Sequence, residues 1–472
     1  MVCGIPSRGE NSPGPRRLRV LLTNGRFPVA LDLARQLHRA SHKVYCVDPM
    51  EYHVCKFSYT VVKSVQVPAP HGDAKGYVRK VLEAVRTWRI DLIIPIHEEI
   101  FFLAECGERD ILDRLFAPPF DLLVRLHHKW EFTKLTKRLR LGVPEASLCR
   151  NYEDVRNLPV DKHEHGMALK PCFGRASTGV HHLKPGEALP EEKELDIGDH
   201  NHYIAQEWLK GPRYCSYSVV REGKVEATGL YPVVETIDGS SSVYFKQQFH
   251  ARIYAYIDNF VRHASQLHGP FSGQLAFDFV DYTPRNQLVA IECNPRSTSG
   301  LHLWSSTPYL AYILTHTLPS PSSAVGKPEE PPRTPIARRP AHVQVSAGMM
   351  MWEHKDATLG VWVKHMGRLM GTRDVVFRWT DLMPTIAQAF LLTTYYKMCR
   401  SEGLQLPELF QHQVLWEPKG EHLEEVRRIM AQADEREVWK VNAVDGDDEK
   451  DGLMDKARHD SVEGWDGQAA IA

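Results

Sequence analysis

Along the first hundred residues, apolar positions come as short unbroken runs separated by amphipathic stretches. RVLLTNG (19–25) reads as a buried strand ending in a turn, and PVALDLARQLHRASH (28–42) as a helix with Val29, Leu33 and Leu37 on one face. KVYCVDP (43–49) reads as a second strand, so the three form a βαβ unit of a parallel sheet. DLIIPIHEE (91–99) is a further β-branched run ending in polar residues, where open α/β sheets bind ligands. No GxGxxG follows the first strand, which argues against a dinucleotide site. A helix is expected over 128–141, closed by GVPEAS, and another over 252–268. From 166 the pattern changes to short strands and glycine turns, and 273–294 reads as two strands around TPRN. Residues 318–340 form a Pro-rich loop. Strands near 341–377 and a helix near 383–400 point to a third packed unit. Residues 1–17 and the acidic stretch 441–472 read as disordered.

Composition narrows the class. A chain of 472 residues with 43% hydrophobic and 25% charged residues has the profile of a globular protein of two to four units. The formal net charge of -1 gives no field that would recruit nucleic acid or a membrane surface. No apolar run approaches the roughly 20 residues that span a bilayer, and the N-terminus lacks the apolar core of a secretory signal. The nine cysteines form no CxxC pair and no Cys/His cluster at zinc spacing, which fits reduced thiols in a cytoplasmic protein.

Three stretches carry chemistry. In LVAIECNPRSTSG (288–300), side chains two apart share a strand face, so Glu292, Asn294 and Arg296 point one way. If the strands pair about Arg285, Asp278 lies opposite Glu292, and two facing carboxylates repel unless a cation lies between them. This set favours magnesium on a polyphosphate over an edge strand running into a polar turn. In GMALKPCFGRASTGV (166–180) a strand delivers Lys170 to a loop of small residues, Gly174, Ser177, Thr178 and Gly179. That pattern suits a phosphate clamp and, equally, a hairpin with a snorkelling lysine. In HYIAQEWLKGPRYCSYSVV (202–220) Gln206 and Glu207 end an apolar strand before a Gly-Pro turn, which by spacing alone fits an ordinary hairpin.

The order of these stretches resembles the ATP-grasp superfamily over roughly residues 18–305 and more weakly over 370–416. The resemblance implies an α/β fold, α+β in the nucleotide-binding part. A Rossmann-like pre-ATP-grasp domain would occupy 18–125, the ATP-grasp domain 126–305, and an extension completing the fold 306–440. It makes Lys129, within HHKWEFTKLTKRLRLGVPEAS, the first ATP-binding lysine and Lys170 the second. AQEWLKG, around Gln206, Glu207, Trp208 and Leu209, looks like the linker that grips adenine. Asp278, Glu292 and Asn294 match the family's magnesium ligands, and Arg296 the arginine that stabilises the transferring phosphoryl group. The implied cofactors are ATP and magnesium, with manganese able to replace it. The implied reaction is ADP-forming: a carboxylate becomes an acyl phosphate and then joins an amine. It stands as a stand-alone carboxylate–amine ligase of the kind found in specialised metabolism, working on small molecules as a homodimer.

Two departures matter. Arg213 stands where relatives carry a ribose-binding glutamate, leaving Glu207 as the substitute, and Arg175 replaces a loop glycine. Two other readings stay open: an ATP-grasp enzyme with a non-amine acceptor, and a nucleotide-binding protein without turnover. Beyond these motifs, Ser297, Ser299, His302, Glu98 and Glu99 are candidates for substrate contacts, and Lys246 or His250 for the γ-phosphate.

Overall fold

The computed structural model describes residues 16–174, 179–237, 241–317, 333–335, 342–350 and 358–448, without the side chains of 241, 407 and 436–448. The chain opens with a four-stranded parallel sheet in the order Val61–Gln66, Lys43–Asp48, Arg19–Thr23, Leu92–Ile94. The two central strands are the apolar runs, buried almost throughout. The helix Pro28–Arg39 begins with proline in its first turn, where the missing N–H is no loss. The helix Ala74–Trp88 starts at Asp73, whose carboxylate accepts from the Gly76 amide at 2.8 Å. Val61–Gln66 left no apolar signature because it is an edge strand with no fully buried side chain. Strand order reverses about Arg19–Thr23, so the crevice beyond its carboxyl end is a topological switch point.

Two antiparallel four-stranded sheets follow. One has the order Ala146–Cys149, Tyr203–Glu207, Met167–Pro171, His181–Leu183. The other runs Lys224–Pro232, Arg213–Arg221, Gly273–Tyr282, Gln287–Asn294. Helices Phe120–His127, Lys129–Arg138 and Ala251–His268 cover one face of the second sheet, burying Phe277 and Phe279 among Leu122, Phe132 and Phe260. Alternation along Gly273–Tyr282 therefore turns Asp278 away from this core.

The C-terminal part differs from its sequence reading. Among the described residues of 341–377 only His342–Gln344 and Arg373–Asp374 are strands, and the helices Ser346–Met350 and Leu359–Gly371 lie between them. Nor is it a separate unit. Val375, Val376, Leu391 and Leu409 share one core with Leu31 and Leu37 of the first helix. The buried Arg35 guanidinium donates to Asp381 (2.8 Å) and to the carbonyls of Val375 and Val376 (both 2.9 Å). The acidic tail is also shorter than expected, because helix Gly420–Asp448 carries helical backbone past 441. Its start is anchored by Leu423, Val426, Met430 and Ala433, which recur at helical spacing and are buried. Asp434 adds bonds to Arg125 (2.7 Å) and Lys134 (2.6 Å). Residues 1–15, most of the Pro-rich loop and everything beyond 448 lie outside the described residues. Among the described residues no helix is long and apolar enough to cross a membrane.

Candidate active site

A cleft of about 540 Å³ opens between the two antiparallel sheets, and its far end meets the switch point of the parallel sheet. Its floor is the hairpin Gly273–Asn294, in which Asp278 pairs with Glu292. The route to that pairing is not visible in the sequence. Next to the turn the register is Tyr282 with Gln287, and it continues unbroken to Phe279 with Ala290. A bulge then leaves Ile291 unmatched and shifts the register by one. Without the bulge Asp278 would face Ile291, and Glu292 would belong to the other face of the strand. With it, Asp278, Glu292 and Asn294 all border the cleft, together with Arg296 just past the strand end. Asn294 donates to Glu292 (3.4 Å), and Arg296 donates to the Asn294 side-chain oxygen (3.3 Å).

The opposite wall supplies positive charge. Lys170 comes from strand Met167–Pro171 and is almost fully buried. Lys129 opens its helix because the ring of His128 caps it, accepting from the Glu131 amide at 3.2 Å. Burial drives the His128 pKa well below the usual value, so the ring is neutral and free to accept. The Lys129 ammonium donates to the Gly174 carbonyl and lies 3.9 Å from Glu292. The two carboxyls consequently part. Burial, and then the charge of Glu292, raise Asp278 to about 7. Burial would raise Glu292 as well, but Lys129 and then Lys170 hold it at about 2. Burial lowers Lys170 to about 8 against the pull of Glu292. A proton held by Asp278 at neutral pH is one that a divalent cation between the carboxylates would displace, so the donor set fits magnesium.

Gln206, Glu207, Trp208 and Leu209 line the side of the cleft above Lys170. Trp208 is fixed by stacking on His182, with ring centroids 3.8 Å apart. Gly174 borders the cleft, and Gly179 sets the loop's return with φ +68, a left-handed conformation natural to glycine. Ser177, Thr178 and Arg175 lie outside the described residues.

No family model matches the chain, and no curated protein matches its sequence. Solved structures do match its fold. The biotin carboxylase of Campylobacter jejuni, in a complex with β-γ-ATP, aligns with a TM-score of 0.51 at 16% identity. That alignment covers 65% of this chain and 73% of that one. The L-amino acid ligase of Bacillus licheniformis aligns with a TM-score of 0.50 at 15% identity, over 66% of this chain and 76% of that one. The chain has the ATP-grasp fold.

Several candidates lie away from the cleft. Glu99 is fully buried and spent on structure, accepting from Thr23, Asn24 and the amides of Ile96 (2.7 Å) and His97 (3.0 Å). Glu98 accepts from the Trp416 amide (3.2 Å). Neither borders the cleft, whereas His97 between them does, stacked on Phe27 with centroids 5.0 Å apart. His302 is buried against Asp32 (2.9 Å) and the Phe245 ring, so it is no base for an incoming amine. His250 starts the helix Ala251–His268 and faces Asp281 (3.2 Å). Lys246 sits exposed on strand Tyr244–Lys246, outside the cleft wall. Glu207 is paired with Arg285 (2.9 Å), which occupies the carboxylate proposed for ribose, and Arg213 is exposed at the cleft. Ser297 and Ser299 do border it, Ser297 donating to Gln274 at 2.6 Å. The sequence reading missed Phe27, His97, Cys215, Tyr231 and Gln411, which also line the cleft, Cys215 lying opposite Asp278 on the neighbouring strand. They come from separate elements, and no spacing links them.

Proposed function

We propose that this protein is an ATP-dependent carboxylate–amine ligase that forms an acyl phosphate and releases ADP. One observation carries the reading: opposed carboxylates Asp278 and Glu292 share a cleft wall with Asn294 and Arg296, facing Lys129 and Lys170. Phosphoryl transfer asks for alignment and charge neutralisation, and little else from the protein. Asp278, Glu292 and Asn294 would hold magnesium, which when bound neutralises polyphosphate charge. Lys129 and Lys170 hold the phosphates from the other wall. Gln206 to Leu209 border the adenine end, and Gly174 and Gly179 flank the segment expected over the phosphates. Arg296 faces the γ-phosphoryl group and then the acyl phosphate, a planar donor against oxygens whose charge rises in transit.

A substrate carboxylate oxygen attacks the γ-phosphorus, the bond to the β–γ bridging oxygen breaks, and ADP leaves. The amine nitrogen then attacks the acyl carbon, inorganic phosphate departs and the nitrogen gives its extra proton to solvent. The cleft end bordered by Ser297, Ser299, His97 and Phe27 is the site for these two substrates. Fold neighbours of both kinds, a carboxylase and an amino acid ligase, match equally well, so the acceptor has to be read from products.

The test is ³¹P NMR of the protein with Mg-ATP and pooled amino and carboxylic acids, with a Glu292→Gln variant run in parallel. ADP and phosphate that depend on added acid and amine, and disappear in the variant, support the ligase. AMP and pyrophosphate would mean that the acid is adenylated, and the proposal would fail.

A further inference from the structure

Beneath the turn that brings Phe27 to the cleft, three side chains meet that the sequence does not group. Cys46 comes from strand Lys43–Asp48, His53 precedes the short helix Val54–Phe57, and Cys55 lies within it. One sulfur or nitrogen from each lies within 4.8 Å of the other two. All three are essentially inaccessible, at 0%, 1% and 0% exposure. Two buried thiols alone would be ordinary apolar packing. The histidine is not explained that way. Its Nε2 is held by Ser64 Oγ at 2.8 Å, while Nδ1 is buried with no hydrogen-bond partner. A Cβ built on Gly25 would collide with that same Nδ1 and with Cys46 Sγ, so glycine there lets the turn pack directly against both atoms.

We propose that Cys46, His53 and Cys55 bind one zinc ion, which pins the turn Gly25–Phe27 over the end of the parallel sheet. Two thiolates and one imidazole suit a borderline-soft cation. Two thiolates also neutralise a dication exactly once over, which a site without solvent access requires. On binding, each thiol gives a proton to solvent as its sulfur–zinc bond forms, and nothing is oxidised. Ser64 is the outer partner that orients the ring and fixes which nitrogen faces the metal. The Cys55 amide already donates to the Gly25 carbonyl at 3.1 Å, and the Arg26 amide to Asp48 at 2.9 Å. The ion would fix Cys55 to strand Lys43–Asp48 and so steady the segment whose amide holds the Gly25 carbonyl, two residues before Phe27.

The full chain, purified with thiols reduced, is analysed for metal after dialysis. One zinc per chain is expected, falling to background in Cys46→Ser/Cys55→Ser. Cobalt(II) added to zinc-stripped wild type should give intense thiolate-to-metal charge-transfer absorption, a readout independent of whether a variant folds. His53→Gln should keep part of that absorption with an altered ligand-field spectrum. Chelator should lower the melting temperature of wild type and leave the double variant unmoved. Zinc whose content ignores these substitutions, or cobalt without thiolate bands, overturns the proposal. A Cys46–Cys55 disulfide found by peptide mapping of unreduced protein overturns it too.

Discussion

Two pairs of acidic side chains lie on or just beyond strands in this molecule, and the fold treats them in opposite ways. Glu98 and Glu99 close the strand Leu92–Ile94, and their carboxylates are engaged by internal donors. Burial still raises the Glu99 pKa, although Thr23 and the backbone amides of 96 and 97 oppose the rise. Asp278 and Glu292 receive no comparable set of backbone donors; they face each other and two lysines across open space. The difference teaches where to look for chemistry. A carboxylate saturated by its own protein is part of the scaffold, whereas one left with a like charge and a cleft is prepared for a ligand.

The comparison is broken most sharply at the open pair. Glu292→Gln should lower ADP formation by about 10³-fold while the melting temperature holds, because it removes charge that acts only on the bound phosphates. Arg296→Ala should cost about 10²–10³-fold in kcat with a smaller change in the KM for ATP. Retained turnover in either would remove the cleft assignment. At the closed pair the outcome should invert. Glu99→Gln strands buried donors and should destabilise the protein by about 2–3 kcal/mol in denaturant unfolding, with kcat of the folded fraction unchanged. Loss of kcat at unchanged stability would show that the two pairs are not different in kind.

A pH series sharpens the contrast. The folded-state pKa of Asp278 is raised from the ordinary carboxylate range to about 7. Its contribution to stability is therefore full below about 4 and is lost as pH rises through about 7. Asp278→Asn lacks that loss, so its melting temperature relative to wild type should climb between about pH 4 and pH 7 and level off above. Magnesium with ATP should narrow the gap by stabilising wild type. The smallest effect is expected at Glu207→Gln, which loosens Arg285 and the adenine end and should raise the KM for ATP by about 3–10-fold at constant kcat.

How much of this was legible beforehand depended on whether the signal was local. Lys170 and the Asp278–Glu292–Asn294 hairpin could be found because strand alternation and the facing of two carboxylates are short-range facts. Even there the pairing came out right by an unseen compensation, a turn centred earlier than assumed and a bulge at Ile291 that restores the register. For Glu98 and Glu99 a scaffold role and a substrate role stayed equally open, and for His302 the satisfied histidine was the favoured reading; the partners that decide them, Trp416, Thr23 and Asp32, are remote in sequence. The Cys46–His53–Cys55 cluster escaped for a related reason. Its spacing matches no zinc pattern, and a strand and a short helix folded beside each other bring the groups together.

The sequence by itself determined the parallel and antiparallel parts, Lys170 at its strand end and the acid–amide–arginine series, because side-chain period and residue chemistry act over a few positions, whereas Lys129 came from the family resemblance alone. Only the tertiary structure decided which charges are spent and which are available. Donors for Glu99, the neighbours of His302 and the Phe27–His97 end of the cleft all arrive from distant segments. Whether a buried polar group is satisfied depends on what packs against it, and that is settled when the chain closes on itself.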